Sequence, residues 1–184
     1  MREKLKHAYQ TERLVLAPVT IDDAPDMFEY ASNPENAYYV FETNKTLGDT
    51  KDIIQKIFIE NGLGKYGIFL NEKLIGTIYF LNLDDRNKFL NLDDRNKSAE
   101  LSYVLNKKFE GHGYATEAAI KLRDIFFNEL EGERLYARHT FDNLKSMNLM
   151  ARIGMKIEGT LRKSYCFHGR QVDLAIWSMT RDDL

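Results

Sequence analysis

The stretch Lys107–Ala119, KKFEGHGYATEAA, decides how this chain is read. It follows an alternating run, Ser98–Leu105 (SAELSYVL), and leads into apolar residues at helical spacing. Two glycines, Gly111 and Gly113, stand between the two patterns. Glycine there permits a tight turn and admits a ligand where a Cβ would collide. The first amides of the following helix have no intrahelical partner and carry the positive end of its dipole. Loop amides beside such an N-terminus make a phosphate site. Strand, glycine loop and helix together point to an anion, a phosphorylated cofactor; a plain tight turn would use the same glycines.

Upstream, Thr11–Val19 alternates as a first strand that Pro18 ends. Thr20, with Asp23 three residues on and Pro25 in the first turn, predicts a helix that stops at Asn33-Pro34. Glu35–Asn44 brings Tyr38, Tyr39 and Phe41 close together, aromatics of the kind that fill a core under a loop. Asp49–Asn61 predicts a second helix, with Ile53, Ile54, Ile57 and Phe58 on one face and Gly62 beyond its end. Tyr66–Leu70 and Leu74–Leu81 flank a hairpin turn at Asn71-Glu72-Lys73.

Downstream of the glycine loop, Ala115, Ala118, Ala119, Leu122, Ile125 and Phe126 form one apolar helix face, ended at Gly132. Leu135, Ala137, His139 and Phe141 alternate on the next strand, and Asn143 opens a helix reaching Ile153. Two closing strands lie near Met155–Arg162 and Val172–Thr180. The outcome is an α+β sheet layered by helices, with residues 1–184 as a single domain.

Phe80–Lys88 and Phe89–Lys97 repeat the same nine residues, FLNLDDRNK, in tandem. The unit is too short for a stacked-repeat architecture. It reads as an in-frame duplication or a cloning artefact at residues 80–97, between two strands. Because nine is odd and a strand alternates faces with period two, both copies cannot serve as the same strand edge in one register.

Composition narrows the class of partner. The formal charge of −2 leaves no basic footprint for nucleic acid. No apolar run approaches a membrane span, and the opening MREKLKHAYQ carries charge without an apolar core. The single cysteine, Cys166, cannot close an internal disulfide, so a reducing cytoplasm is the expected location. His7, His112, His139 and His168 are scattered without metal-ligand spacing, and no metal is expected.

EGHGYATEA resembles the Q/R-x-x-G-x-G/A signature of the GNAT superfamily, the acetyl-CoA-dependent N-acetyltransferases, with Glu110, Gly113 and Ala115 in register. NLKSMNLMARIGM is similar to that superfamily's second block through Asn143, Ser146, Arg152, Gly154 and Met155. The tail EGTLRKSYCFHGRQVDLAIWSM resembles the closing strands of the RimJ/RimL branch, ribosomal-protein N-terminal acetyltransferases and their relatives. The resemblance implies the GNAT fold: a mixed, mostly antiparallel sheet of about seven strands flanked by helices, with central strands splayed at the cofactor site. It implies acetyl-CoA, its pyrophosphate over amides of Glu110, Gly111, His112, Gly113, Tyr114, Ala115 and Thr116. The pantetheine arm would then run along Tyr103, Val104 and Leu105, with an amide near Val104 meeting the thioester oxygen. Asn143 would bond the pantetheine, cap its helix, or both.

Two catalytic candidates follow. Glu100 shares a strand face with Ser102 and Val104, and a carboxylate on a central strand is unusual unless paired or functional. It matches the Glu of the A-E-x-x-Y segment in RimL-like relatives and is the candidate base; an ion pair with an arginine is the competing reading. Ser146 is the candidate near the sulfur, since Met150 fills the position where many members carry a tyrosine. First-turn polar surface is the competing reading for that serine. Tyr165 stands where some relatives have an acceptor-site carboxylate, and Asp173 would steer a cationic substrate or hold the hairpin. The region 35–44 helps to wall the acceptor site in relatives.

The implied reaction moves an acetyl group to a primary amine: a protein N-terminus by default, or a polyamine or other small molecule. The implied alternative is a non-catalytic acetyl-CoA-binding or sensing domain; Glu110 and Met150 lean toward it, Glu100 and Ser146 against it. Homodimers are common among such relatives.

Overall fold

The computed structural model describes residue 5 and residues 7–81 and 97–184. Of the tandem FLNLDDRNK this takes in Phe80, Leu81 and Lys97, so the reading of the duplication lies outside the described residues. The described strands are β1 (Tyr9–Gln10), β2 (Val15–Ala17), β3 (Lys65–Leu70), β4 (Lys73–Leu81), β5 (Ser98–Leu105), β6 (Arg134–Thr140), β7 (Lys156–Phe167) and β8 (Arg170–Thr180). They form one eight-stranded sheet in the order β1-β2-β3-β4-β5-β6-β8-β7. The strand beyond the expected seven or so is the two-residue β1 at the edge. Every neighbouring pair is antiparallel except β5 and β6.

That parallel pair is where the sheet opens. β5 and β6 are in register only at Ser98↔Arg134, Ala99↔Leu135 and Glu100↔Tyr136. Beyond that point β5 runs on beside β4 to the Gly76↔Leu105 pair, while β6 runs on beside β8 to Thr140↔Leu174. The right-handed twist that rotates adjacent strands carries the two apart, leaving a gap between residues 101–105 and 137–140. The splay implied by the family resemblance is therefore present.

The helices are α1 (Ala24–Ala31), α2 (Pro34–Ala37), α3 (Leu47–Ile53), α4 (Tyr114–Asp124) and α5 (Leu144–Arg152). The turn before α1 forms as the sequence predicts: Thr20 donates its amide to Asp23 Oδ2 at 2.7 Å, and Pro25 sits in the first turn of α1. α3 begins two residues earlier than expected because Thr46 and Asp49 form a capping box, and it continues as a π-helical stretch, Ile54–Ile59. The final hairpin is longer than expected at both strands. Its exposed residues lack the apolar alternation that would have marked them as strand.

Two apolar layers cover the sheet. On one face Leu101 and Leu105 of β5 pack with Ala118, Ala119, Leu122 and Phe126 of the α4 segment and with Met150 of α5. On the other, Val104 packs with Met27, Tyr30 and Ala31 of α1 and with Ile54 and Phe58 beyond α3. The period-two alternation of β5 thus divides its side chains between a layer under α4 and α5 and a layer under α1 and α3. Among the described residues no helix is long and apolar enough to cross a membrane.

Candidate active site

The glycine loop has the backbone its sequence demands. Gly111 and Gly113 hold φ of 81° and 82°, a region that costs other residues about 1–2 kcal/mol. A Cβ on Gly111 would meet nothing within 4 Å, so that side of the loop is open. Gly113 caps α4, and the first intrahelical bond is Glu117 N–H to Gly113 O at 3.0 Å. The amides of Tyr114, Ala115 and Thr116 consequently precede the ladder and point outward at the positive end of the helix.

Side chains brace this cradle from both sides. Glu110 pairs with Lys145 of α5, and the His112 ring nitrogen Nδ1 donates to the Glu110 carbonyl at 2.9 Å. His112 also stacks on Tyr114. Arg13, which sequence reading passed over, reaches the loop from the N-terminal segment. It donates to the His112 carbonyl at 3.0 Å, forks to Glu117 Oε2 at 2.7 Å, and lies 4.7 Å from the centre of the Tyr114 ring. Burial pushes the Glu117 carboxyl up, but hydrogen bonds from Thr11 and Arg13 outweigh it and hold it below the ordinary carboxylate range. A positive group is thereby fixed beside the orphan amides.

The backbone of β5 decides which amides face the gap. Asn106 N–H donates to Ile75 O at 2.7 Å, and these residues extend the register Gly76↔Leu105, Thr77↔Val104 by one step. Bonded and non-bonded pairs alternate in an antiparallel ladder. Thr77 and Val104 are therefore a bonded pair, and the Val104 amide is turned toward β4. The amides of Tyr103 and Leu105 are the ones turned toward the gap, so any amide of this stretch offered to the gap comes from the neighbours of Val104. In agreement, the Leu105 carbonyl points away from β4 and accepts from Asn36 Nδ2 at 2.8 Å.

Glu100 is buried, and its carboxylate is forked by Arg138 of β6, Nε to Oε1 and Nη2 to Oε2, both at 2.8 Å. That bond raises the Arg138 pKa, burial opposing it. The arginine ion pair considered from sequence exists, and it bridges the last paired point of β5 and β6. Ser146 is also buried, and its amide donates to Asn143 Oδ1 at 3.2 Å, so Asn143 does cap α5. The Ser146 side chain acts on the Tyr103 phenol in the layer beneath α4 and α5. Burial pushes the Tyr103 phenol up to about 12, with Ser146 opposing and Glu110 adding. Met150 is core, 1% exposed.

The remaining candidates separate. Asp173 Oδ1 accepts from the Lys163 amide at 2.8 Å, where Lys163 has a positive φ of 46°, so this carboxylate holds the irregular part of the final hairpin. Tyr165 is 47% exposed and acts electrostatically on Arg138. Tyr38 and Tyr39 are not core: they are 46% and 37% exposed, and Tyr38 packs against Phe167 and His168 of the hairpin. Tyr38, Phe167 and His168 border, with Thr140, Asp142 and Asp173, an open groove of about 820 Å³ past the end of β6. A second, narrower cavity of about 200 Å³ lies between α1, the α3 segment and the Val104 face of the sheet. Cys166 is exposed, and among the described residues no three His, Cys, Asp or Glu side chains converge as for a metal.

A sheet split beside a parallel pair, with a helix N-terminus and glycine amides at the split, defines an acetyltransferase fold. Residues 13–156 match the acetyltransferase (GNAT) domain family, and the chain belongs to it. It is 31% identical over 177 residues to the uncharacterized N-acetyltransferase p20 of Bacillus licheniformis, covering 93% of this chain and 94% of that one. Its fold is that of a GNAT-family acetyltransferase from Bacillus anthracis, with TM-score 0.82 and 24% identity over 96% of this chain and 99% of that one. The fold also matches the RimL ribosomal alpha-N-protein acetyltransferase in complex with coenzyme A, with TM-score 0.80 and 16% identity over 97% and 100% of the two chains.

Proposed function

We propose that this chain transfers the acetyl group of acetyl-CoA to a primary amine by direct attack in a ternary complex, a protein N-terminus being the default acceptor. The observation that carries this reading is the gap between β5 and β6, with the outward amides of residues 114–116 and Arg13 at one end. That cradle fits a pyrophosphate, since its open side and its outward amides suit an anion. Coenzyme A in the RimL complex supports the same donor here. When bound, acetyl-CoA supplies an activated carbonyl and a thiolate leaving group.

The amide of Tyr103 or Leu105 donates to the thioester oxygen as charge grows on it, a contribution of several kcal/mol in a dry site. The amine's nitrogen forms the new bond to the carbonyl carbon as the carbon–sulfur bond breaks. Glu100 takes the amine's proton. Each of its oxygens accepts one bond from Arg138 and keeps a further lone pair, so the proton passes directly or through a water. Tyr103 and Ser146 face the departing sulfur. With its pKa near 12, Tyr103 lies about 3.5 units above an ordinary thiol, and surrendering its proton outright would be uphill by about 5 kcal/mol. The pair therefore stabilises the thiolate by hydrogen bonding, and solvent protonates it.

Thiol release from acetyl-CoA, followed over peptides, polyamines and aminoglycosides, tests the reading. Release that depends on an amine supports it; tight acetyl-CoA binding with no release on any amine would favour a sensing domain.

A further inference from the structure

The 200 Å³ cavity is separate from the cradle and lies on the opposite face of β5. Val104 forms part of its floor and Tyr79 part of its wall. Tyr79 stands opposite Ser102 across the β4–β5 ladder, two residues along the same face from Glu100. Residues two apart on a strand are about 6.6 Å apart. The cavity thus begins within one side-chain length of the stretch whose amides at Tyr103 and Leu105 face the gap.

Its lining is mainly apolar and uncharged. Eight of its twelve lining residues, Met27, Ala31, Val40, Phe41, Ile53, Ile57, Phe58 and Val104, are aliphatic, thioether or phenyl. Tyr30, Asn44, Thr77 and Tyr79 add neutral polar atoms; among the described residues the Tyr30 hydroxyl has no partner, and no charged side chain takes part. The Asn44 side chain is already engaged, donating to Thr50 at 2.8 Å. Phe41, Ile57 and Tyr79 are only partly buried, so the cavity communicates with solvent on that side. A cavity of about 150 Å³ lined by such residues holds a benzene-sized ligand. This one is larger, and it would leave an ammonium group desolvated and unpaired.

We infer that the cavity is a side-chain pocket of the acceptor: it receives an aliphatic or aryl group carried on the carbon next to the reacting amine. The inference rests on the acetyl-transfer reading for its location, and it narrows the acceptor class. Peptide N-termini and amines with a large apolar side chain fit; polyamines and aminoglycosides do not fit this pocket.

The test measures binding of phenylalaninamide, leucinamide, glycinamide and spermidine to the protein loaded with coenzyme A. Phenylalaninamide or leucinamide should bind at least tenfold more tightly than glycinamide, in line with burial of one such side chain. Ala31→Leu, which fills the cavity from α1, should reduce that ratio to about twofold with coenzyme A affinity retained. Ile57→Trp fills it from the α3 segment and serves if the first variant does not fold. Equal affinities in the wild type, tighter spermidine binding, or a ratio that survives filling would overturn the inference. So would faster turnover with hexanoyl-CoA without amide selectivity, since the cavity would then hold the donor's acyl chain. Selective binding with no transfer to any amine would instead overturn the transferase reading and leave the pocket standing.

Discussion

Replacing Arg138 with methionine removes the guanidinium that forks Glu100 and keeps most of the apolar stem. The two side chains are unequal: Glu100 is 6% exposed and Arg138 36%. Stripping the partner from a buried charge costs about 3–5 kcal/mol, because the charge left behind is neither solvated nor paired. The half-exposed arginine admits water to the vacated space, which places the expected loss near the lower end, about 3 kcal/mol. For a domain of this size each kcal/mol moves the melting temperature by about 2–4 °C, so Arg138→Met should melt about 6–12 °C below wild type. Glu100→Gln leaves a guanidinium that water can reach, and should lose about 1–2 kcal/mol. The double variant should lose less than the two singles together, with a coupling of about 2 kcal/mol by denaturant unfolding. Turnover separates the proton role from the structural one. Glu100→Gln should slow acetyl transfer by about two to four orders of magnitude with coenzyme A affinity unchanged. Additive single variants, or an Arg138→Met protein that melts with wild type, would refute the reasoning about the pair. An unslowed Glu100→Gln enzyme would leave Glu100 a structural partner and nothing more.

Gly111→Ala should cost about 1–2 kcal/mol in stability from its left-handed backbone and weaken coenzyme A binding by calorimetry at least tenfold; unchanged affinity would remove the loop from the cofactor site. Tyr103→Phe should lower turnover by about tenfold or more and leave coenzyme A affinity in place. The Tyr103 phenol is raised above its unfolded value, so its contribution to stability is complete below pH 10 and is lost as pH rises toward 12. A basic limb in the rate near pH 8 that vanishes in Tyr103→Phe would contradict that. Glu158, held down to about 2 chiefly by Arg134 and then by Ser178, contributes stability that is present above its unfolded pKa and lost as pH falls toward 2. Glu158→Gln should flatten the acid arm of a stability–pH curve, and an unchanged arm would show the contact to be inert.

The fold was legible where local rules act alone. The strand–glycine–helix run, the Thr20/Asp23 turn and the apolar face of α4 each depend on residues within a few positions of one another. The proposed donor half of the site shares that locality: glycine loop, Asn143 cap and Ser146 lie on short segments. What sequence could not supply are partners met only on folding. Arg13 stands 99 positions from the His112 carbonyl it binds, and Arg138 stands 38 from Glu100. Neither arginine differs in local pattern from those on the surface. The parity of the β4–β5 ladder is equally invisible, since it depends on which residues of a distant strand pair. Only that parity shows that the Val104 amide is turned away from the gap while its neighbours are turned toward it.

The alternation of a single strand also constrains the chemistry proposed for it. Tyr103 meets Ser146 in the layer under α4 and α5, the side on which the glycine cradle opens α4. Glu100, two residues earlier than Ser102 on the alternate face, meets Arg138 toward the layer that holds the side-chain cavity. The groups proposed for the sulfur and for the amine therefore stand on opposite faces of one sheet. They can act on the same carbonyl only through the gap between β5 and β6, where the backbone amides already point. On the proposed reading donor and acceptor approach from opposite faces and neither need leave before the other binds, as direct transfer requires. A covalent acetyl-enzyme would require a nucleophile inside the gap. The chain's one cysteine is instead exposed on β7, paired with Gln171 at the outer hairpin.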